Sequence, residues 1–194
     1  MAVQLVTAAA SDPITVAQAK SHSRISTSDD DTILGLYITA ATEKFQAWTS
    51  MQLVNATFDE FLDSFAILEE EGLQWSPVSS VTSIKYIDTD GNEQTVTSTI
   101  YQTDLVSKPS RIVEAYNQSW PSFRNQLNTI TVRHVAGFGA DATSVPEDIK
   151  YALKLIVAGM YEQREEDIAG TIISSMPEDF GVSDIVRKYR NRWF

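Results

Sequence analysis

Two segments with the periodicity of an amphipathic helix stand towards opposite ends of this 194-residue chain. In the first segment, apolar residues recur at helical spacing from Ile33 to Trp48, and in the second they do so from Ile149 to Tyr161. This spacing places the apolar side chains on one helix face, which has to be buried. Residues 51–144 between them consist of short β-prone runs separated by Gly and Pro. The order predicts an α+β fold in which a helical core carries an inserted antiparallel sheet.

Local signals predict two helices in residues 1–50. Thr15 and Gln18 have the spacing of a capping box, which predicts a short helix that ends at about Ser23. Three aspartates at 29–31 favour the start of the second helix, because carboxylates stabilise helix N-termini by capping and by the helix dipole. We expect this helix to run to about Trp48.

A long helix is predicted for residues 145–164, because Pro146 is followed by two acidic residues and then by the apolar stripe. Residues 165–194 are predicted to be an extended C-terminal segment that ends in a short helix. Ser183 is the expected cap of that helix, and Tyr189 lies on its apolar side. The whole chain, residues 1–194, is interpreted as one domain.

Residues 51–144 are interpreted as a meander of short strands. The expected strands are 56–62, 73–75, 81–87, 93–96, 101–105, 111–115 and 130–135. Asp90-Gly91 lies between two of these runs and predicts a hairpin with a type I′ turn. The same aspartate-rich loop resembles a calcium loop only superficially. Gly91 is the fourth residue of this loop, whereas an EF-hand loop has glycine at its sixth position, and the loop is flanked by β-prone runs instead of helices.

No residue pattern predicts catalysis or a bound cofactor. The absence of cysteine excludes disulfides and thiolate chemistry, and the two histidines, His22 and His134, belong to different segments. Gly137 and Gly139 lack the rest of a nucleotide-binding fingerprint and are better explained by a turn. Acidic clusters at 29–31, 69–71 and 165–167 are typical of solvated helix ends and turns. We therefore expect no catalytic residue, metal or cofactor, and an enzyme is the least favoured class.

The charge of the chain is strongly asymmetric. The formal net charge is -11, yet the last eight residues hold four basic residues and no acidic one. An acidic surface disfavours DNA binding, which depends on Lys and Arg at phosphates. We predict that the terminal segment docks onto an acidic or grooved partner, because aromatic and arginine side chains are enriched at interface hot spots. The residues of this prediction are Arg187, Lys188, Tyr189, Arg190, Arg192, Trp193 and Phe194. The alternative is that the last helix folds back onto its own core.

No apolar run approaches the roughly 20 residues of a membrane helix, and the first residues lack the basic start of a signal peptide. We therefore expect no membrane partner and a protein made in a cytoplasm.

Several segments in order resemble the phage head–tail connector family of gp6-like and gp8-like adaptor proteins. The segments are PITVAQAK (13–20), DDDTI (29–33), WSPVSSVTSIKYID (75–88), Trp120-Pro121, AGFG (136–139), VPEDIK (145–150) and YEQR (161–164). Tyr189-Arg190 is similar to a pair that often ends such proteins. The resemblance extends from about residue 5 to 165.

The resemblance implies a structural protein of the virion neck that forms a ring, commonly of twelve copies, beneath the portal protein. Such a ring extends the DNA channel, lets DNA pass without specific binding, and offers a platform to a stopper or tail-completion protein. We further hypothesise that residues 187–194 dock on the portal, and that the free protein is a monomer until the portal templates the ring, because its high like charge opposes self-association. The alternatives are another neck ring protein, such as a stopper, and a small acidic protein that binds a basic host protein.

Overall fold

Helices from both ends of the chain pack together, and strands from its middle form a sheet, as the α+β prediction required. The computed structural model describes residues 2–162 and 181–190. Its helices are α1 (Val16–Ser23), α2 (Asp31–Thr49), α3 (Phe65–Glu70), α4 (Glu147–Glu162) and α5 (Val182–Tyr189). Its strands are β1 (Ala2–Thr7), β2 (Ala56–Leu62), β3 (Val78–Ile87), β4 (Glu93–Thr95), β5 (Tyr101–Asp104), β6 (Arg111–Glu114) and β7 (Ile130–Ala136).

The starts of the first two helices are tied to neighbouring elements. Thr15 forms the predicted capping box, in which its hydroxyl accepts from the Gln18 amide at 3.2 Å and its own amide donates to the Gln18 side chain at 2.9 Å. Asp30 is the N-cap residue of α2, but its carboxylate accepts from the Tyr161 hydroxyl at 2.6 Å instead of capping the helix. Asp31 pairs with Lys20 at 2.6 Å. The second helix is thereby joined to both α1 and α4.

The helical core lies where α1, α2, α4 and α5 meet. Leu34, Ile38 and Phe45 of α2 are fully or almost fully buried in it. The predicted stripe of α4 is confirmed, since Ile149, Ala152, Leu153, Ile156 and Val157 are buried. Such complete burial of apolar side chains is the main favourable contribution to the stability of this part of the fold.

The sheet has the strand order β1-β2-β7-β3-β4, so the predicted meander is wrong. All pairs are antiparallel, and β7 pairs along its length with both β2 and β3. The strands β5 and β6 form a separate hairpin. Strand β7 buries alternate residues and pairs along both of its edges. Local sequence patterns do not encode which strands pair with each other, so they do not predict this central position.

Three elements differ from the sequence predictions. Strand β1 lies within residues 1–50, for which only helices were predicted. It is an edge strand with nearly all its residues exposed, and it lacks the alternating apolar pattern that predicts a half-buried strand. The short helix α3 was not predicted. Residues 73–75 are not a strand, because the Leu73 amide donates to the Ser110 carbonyl and the Gln74 amide donates to the Glu60 carboxylate.

Two turn predictions also need correction. The β3–β4 hairpin is confirmed, but only Gly91 of its turn has a positive φ, of 93°, whereas a type I′ turn needs two such residues. Its hydrogen bonds, Gly91 N to Asp88 O and Asp88 N to Asn92 O, are those of a three-residue loop. Ser183 does not cap α5, because the N-cap residue is Gly181 in the left-handed conformation.

The inserted strands have a hydrophobic cluster of their own. Phe65 of α3 stacks on Trp120 with ring centroids 4.3 Å apart, and the Trp120 indole donates to Glu69 at 2.7 Å. Ile84 and Val132 of the sheet lie in the same cluster. Among the described residues, no helix combines the length and apolar character needed to span a bilayer.

Candidate docking surface

Helix α5 is the described part of the predicted docking segment, and one of its faces packs on the helical core. Val182 and Val186 are buried, and Ile185 and Tyr189 pack partly buried against the same cluster. The helix therefore folds back onto its own protein along this face. Its opposite face is left on the surface.

Asp148, in the first turn of α4, anchors the end of α5. It accepts from the Lys188 ammonium at 2.6 Å and from the Tyr189 hydroxyl at 2.9 Å. Burial alone would raise the pKa of Asp148, but the bonds from Lys188 and Tyr189 hold that pKa below its usual value. The bond to Asp148 raises the pKa of Lys188 in turn. The C-terminal end of α5 thus carries an ion pair that joins it to α4.

Arg187, on α5, and Arg190, directly after it, are exposed residues of the predicted docking segment. The Arg187 side chain is 73% exposed and reaches Asp184 at 3.4 Å, and Arg190 is also exposed. Lys188 and Tyr189 are engaged with Asp148. The other three predicted docking residues, Arg192, Trp193 and Phe194, lie outside the described residues. Docking through this segment stays a prediction.

A residue that sequence reasoning missed lies beside α5. The Lys108 ammonium, in the β5–β6 loop, is 5.9 Å from the centroid of the Tyr189 ring. The Lys188 ammonium is 4.9 Å from the same centroid, and Phe138 meets that ring edge-on at 6.2 Å. Lys108 and Tyr189 are far apart in the chain and Lys108 belongs to no motif, so no local signal indicates their proximity.

The β5–β6 loop is held rigidly around one carboxylate. Asp104 accepts from the amides of Val106 and Ser107 at 3.2 and 3.1 Å, from the Ser107 hydroxyl at 2.6 Å and from Arg111 at 3.0 Å. These bonds, that of the Ser107 hydroxyl foremost, hold the pKa of Asp104 well below its usual range. The Val106 side chain and Lys108 are exposed near the tip, Val106 at 93%. The loop thus presents two exposed side chains on an ordered backbone.

The base of this loop is also fixed to the protein. The Ser110 carbonyl accepts from the Leu73 amide at 2.9 Å. Gly72 permits the close approach, since it has a φ of 72° and a Cβ there would lie 2.5 Å from the Ser110 oxygen.

The other sequence candidates have structural roles. Asp88 accepts from the amides of Asp90 and Asn92 at 3.0 and 2.9 Å, which builds the hairpin turn. Gly137 has a φ of 143°, and a Cβ there would lie 2.5 Å from the Asn55 amide, so the turn needs glycine. Within residues 2–162 and 181–190, no three His, Cys, Asp or Glu side chains are grouped to hold a metal.

Glu60 and His134 form a buried titratable pair within the sheet. Both side chains are inaccessible to solvent, and His134 Nδ1 lies 4.0 Å from Glu60 Oε2. Burial raises the pKa of Glu60 to about 7 and lowers the pKa of His134 to about 4. Sequence reasoning placed His134 on a strand but did not find this partner. Because the pair is enclosed, it belongs to the core and not to the docking surface.

Comparison with known families decides the class of protein. Residues 13–119, more than half of the chain, match the model of the phage gp6-like head-tail connector protein family. The chain belongs to this family. The resemblance found in the sequence is thereby confirmed, and so is the prediction of a structural virion protein rather than an enzyme. The matched residues include Lys108 and its loop, whereas α5 lies beyond them.

Solved structures resemble the connector over almost its whole length. A chain in the virion of a native gene transfer agent particle has a TM-score of 0.78 and 25% identity, covering 99% of this chain and 96% of that one. A chain in the neck of the empty particle, computed with C6 symmetry, has a TM-score of 0.76 and 26% identity with the same coverage. A chain in the neck of the native particle, computed with C12 symmetry, has a TM-score of 0.76, 25% identity and again the same coverage. No curated protein sequence matches the connector.

Proposed function

We propose that this connector is the adaptor that forms a ring beneath the portal of a tailed-phage-like particle. The ring extends the DNA channel and provides the platform on which a stopper or tail-completion protein assembles. The observation that carries the proposal is the alignment over 99% of the chain with a protein of a particle neck, together with the family match. Its location is then the virion neck, after synthesis in the host cytoplasm.

The symmetry of the similar neck supports a ring of twelve copies. That neck was computed with C12 symmetry. Cyclic rings need heterologous contacts, in which two different surfaces of each subunit meet. Acidic net charge suits a channel wall, because carboxylates do not bind phosphates and DNA can slide past without specific binding.

Residues 187–194 form the portal-docking segment in this proposal. Arg187 and Arg190 are exposed and available for an acidic partner, while Trp193 and Phe194 supply apolar area for burial. Asp148 holds the start of the segment in place through Lys188 and Tyr189. The arginines then give the contact its orientation, because their planar groups bind carboxylates in a defined geometry.

The first experiment is native mass measurement of the connector alone and after mixing with portal rings of the same particle. A discrete ring-sized complex that contains portal supports the proposal. A connector that stays monomeric and ignores the portal contradicts it. Binding to tail proteins without the portal would instead identify a stopper.

The docking segment is tested with variants that leave α5 anchored. Deleting residues 187–194 would also remove the bonds to Asp148, so the sharper variant deletes 191–194 and carries Arg187→Glu and Arg190→Glu. We expect it to lose co-sedimentation with portal rings. The control carries Lys44→Glu and Arg124→Glu, which reverse two exposed charges elsewhere. Equal binding by both variants would refute docking through this segment.

A further inference from the structure

We infer that the tip of the β5–β6 hairpin, Val106 to Lys108, is the second half of the portal-docking surface, and that it meets an acidic surface of the portal. This inference rests on the proposed function. It adds a second element of the chain to the docking surface and states the chemistry of the partner.

The first support is the junction at Tyr189. The ammonium groups of Lys108 and Lys188 lie 5.9 and 4.9 Å from the centroid of the same ring. Both cations therefore contact the same ring, and Asp148 forms its ion pair with Lys188. No carboxylate within residues 2–162 or 181–190 lies within salt-bridge distance of Lys108. A partner carboxylate at this position would pair with Lys108.

The second support is the concentration of positive charge on an acidic protein. Lys108 and Lys188 lie beside the same Tyr189 ring, and the exposed Arg187 and Arg190 are next to Lys188 and Tyr189 in the chain. Lys188 pairs with Asp148, and Arg187 pairs with Asp184. The whole chain has a net charge of -11. Exposed cations attract an opposite charge that comes within about 8 Å of them at physiological salt. Charge complementarity therefore selects an acidic surface.

The third support is that the tip is ordered before binding. The bonds of Asp104 hold the backbone of Val106 and Ser107, and the base of the loop is tied down through Ser110. A loop that is already ordered loses little conformational entropy on binding. Val106, 93% exposed, places an apolar side chain next to Lys108, and burial of such a side chain on binding is favourable.

Duplex DNA is the other polyanion that this surface could meet. Asp148 and Asp184 lie among the cations and would repel phosphates, whereas a protein surface can place donors opposite them. The acidity of the rest of the chain also opposes DNA. These features favour a protein partner.

The test measures portal affinity for Lys108→Glu and Val106→Asp, with Lys44→Glu as the matched control. Lys44 is also an exposed lysine over an aromatic ring, 5.3 Å from the Trp48 centroid, but it lies on α2. We expect each tip variant to weaken portal binding about tenfold and Lys44→Glu to leave it unchanged. Val106→Asp keeps the test valid if Lys108→Glu disturbs α5, because the Val106 side chain is almost free of contacts.

Full-affinity binding by both tip variants, with loss of binding by the arginine variant described above, would overturn this inference and leave the proposed function standing. Unchanged binding by all variants would refute the docking surface as a whole. Weaker retention of a DNA duplex by Lys108→Glu, with unchanged portal affinity, would assign the tip to DNA and also overturn the inference.

Discussion

At the scale of single residues, Glu60 and His134 dominate the expected pH dependence of stability. Burial shifts the pKa of the two groups in opposite directions, to about 7 for Glu60 and about 4 for His134. Both shifts favour the uncharged form. Folded Glu60 keeps a proton that the unfolded chain releases above its ordinary pKa of 4.5, so its contribution to stability falls as pH rises from 4.5 to 7. His134 destabilises the fold as pH falls from 6.5 to 4.

We predict that Glu60→Gln stabilises the connector relative to the natural chain as pH rises. The amide keeps an acceptor for the Gln74 backbone but carries no proton to lose. From pH 5 to pH 8, the free energy of unfolding of the variant should rise relative to that of the natural chain by up to about 3 kcal/mol. Urea unfolding at both pH values measures it. Glu93→Gln, at an exposed carboxylate paired with Lys85, is the control and should show little change between the two pH values.

A difference for Glu60→Gln that stays constant with pH would contradict this assignment of the shift.

At the scale of elements, α5 depends on what it packs against. It has eight residues, too few for a stable isolated helix in water. Burial of Val182 and Val186 and the bonds to Asp148 hold it on the core. The order of the proposed docking surface therefore depends on these contacts.

We predict that Tyr189→Phe loosens α5 and leaves the rest of the fold unchanged. The variant keeps the ring but loses the hydroxyl that donates to Asp148, a bond worth about 1 kcal/mol. Amides of α5 should exchange with solvent about fivefold faster, as measured by native-state hydrogen exchange. Tyr116→Phe, at a tyrosine that is 90% exposed, is the control and should change nothing. Faster exchange throughout the helical core would show that α5 is not an independent opening unit.

At the scale of the whole molecule, net charge sets the expected assembly behaviour. A charge of -11 on every copy opposes association of the free protein. A portal ring with twelve sites would offset that repulsion, because each bound copy raises the effective concentration of the next.

We predict that the purified connector is monomeric at physiological salt and forms rings only with the portal. Light scattering after size-exclusion chromatography measures the mass in both cases. Raising the salt concentration should favour self-association, because screening weakens the like-charge repulsion. Stable rings of the connector alone at physiological salt would contradict templated assembly.

Local signals in the sequence predicted helices α1, α2 and α4. The capping box at Thr15 and Pro146 before α4 act within a few residues of their own position, so their effects can be inferred without the fold, whereas the carboxylate of Asp30 bonds the distant Tyr161 instead of capping α2. The family was also recognisable from the sequence, because the ordered motifs that identify it are short runs of consecutive residues and can be read without the fold. Helix α3 and strand β1 escaped detection, since α3 is short and β1 is an exposed edge strand.

Only the tertiary structure decided which strands and side chains meet. Strand β7 lies between β2 and β3, although the chain reaches it last. Lys108 reaches Tyr189, and Glu60 faces His134, across long separations in sequence. A single sequence specifies the preference of each segment for helix or strand, whereas these contacts depend on the simultaneous packing of all segments in one core. The proposed docking surface also depends on the tertiary structure, because its two parts, the β5–β6 loop and α5, are brought together only in the folded protein.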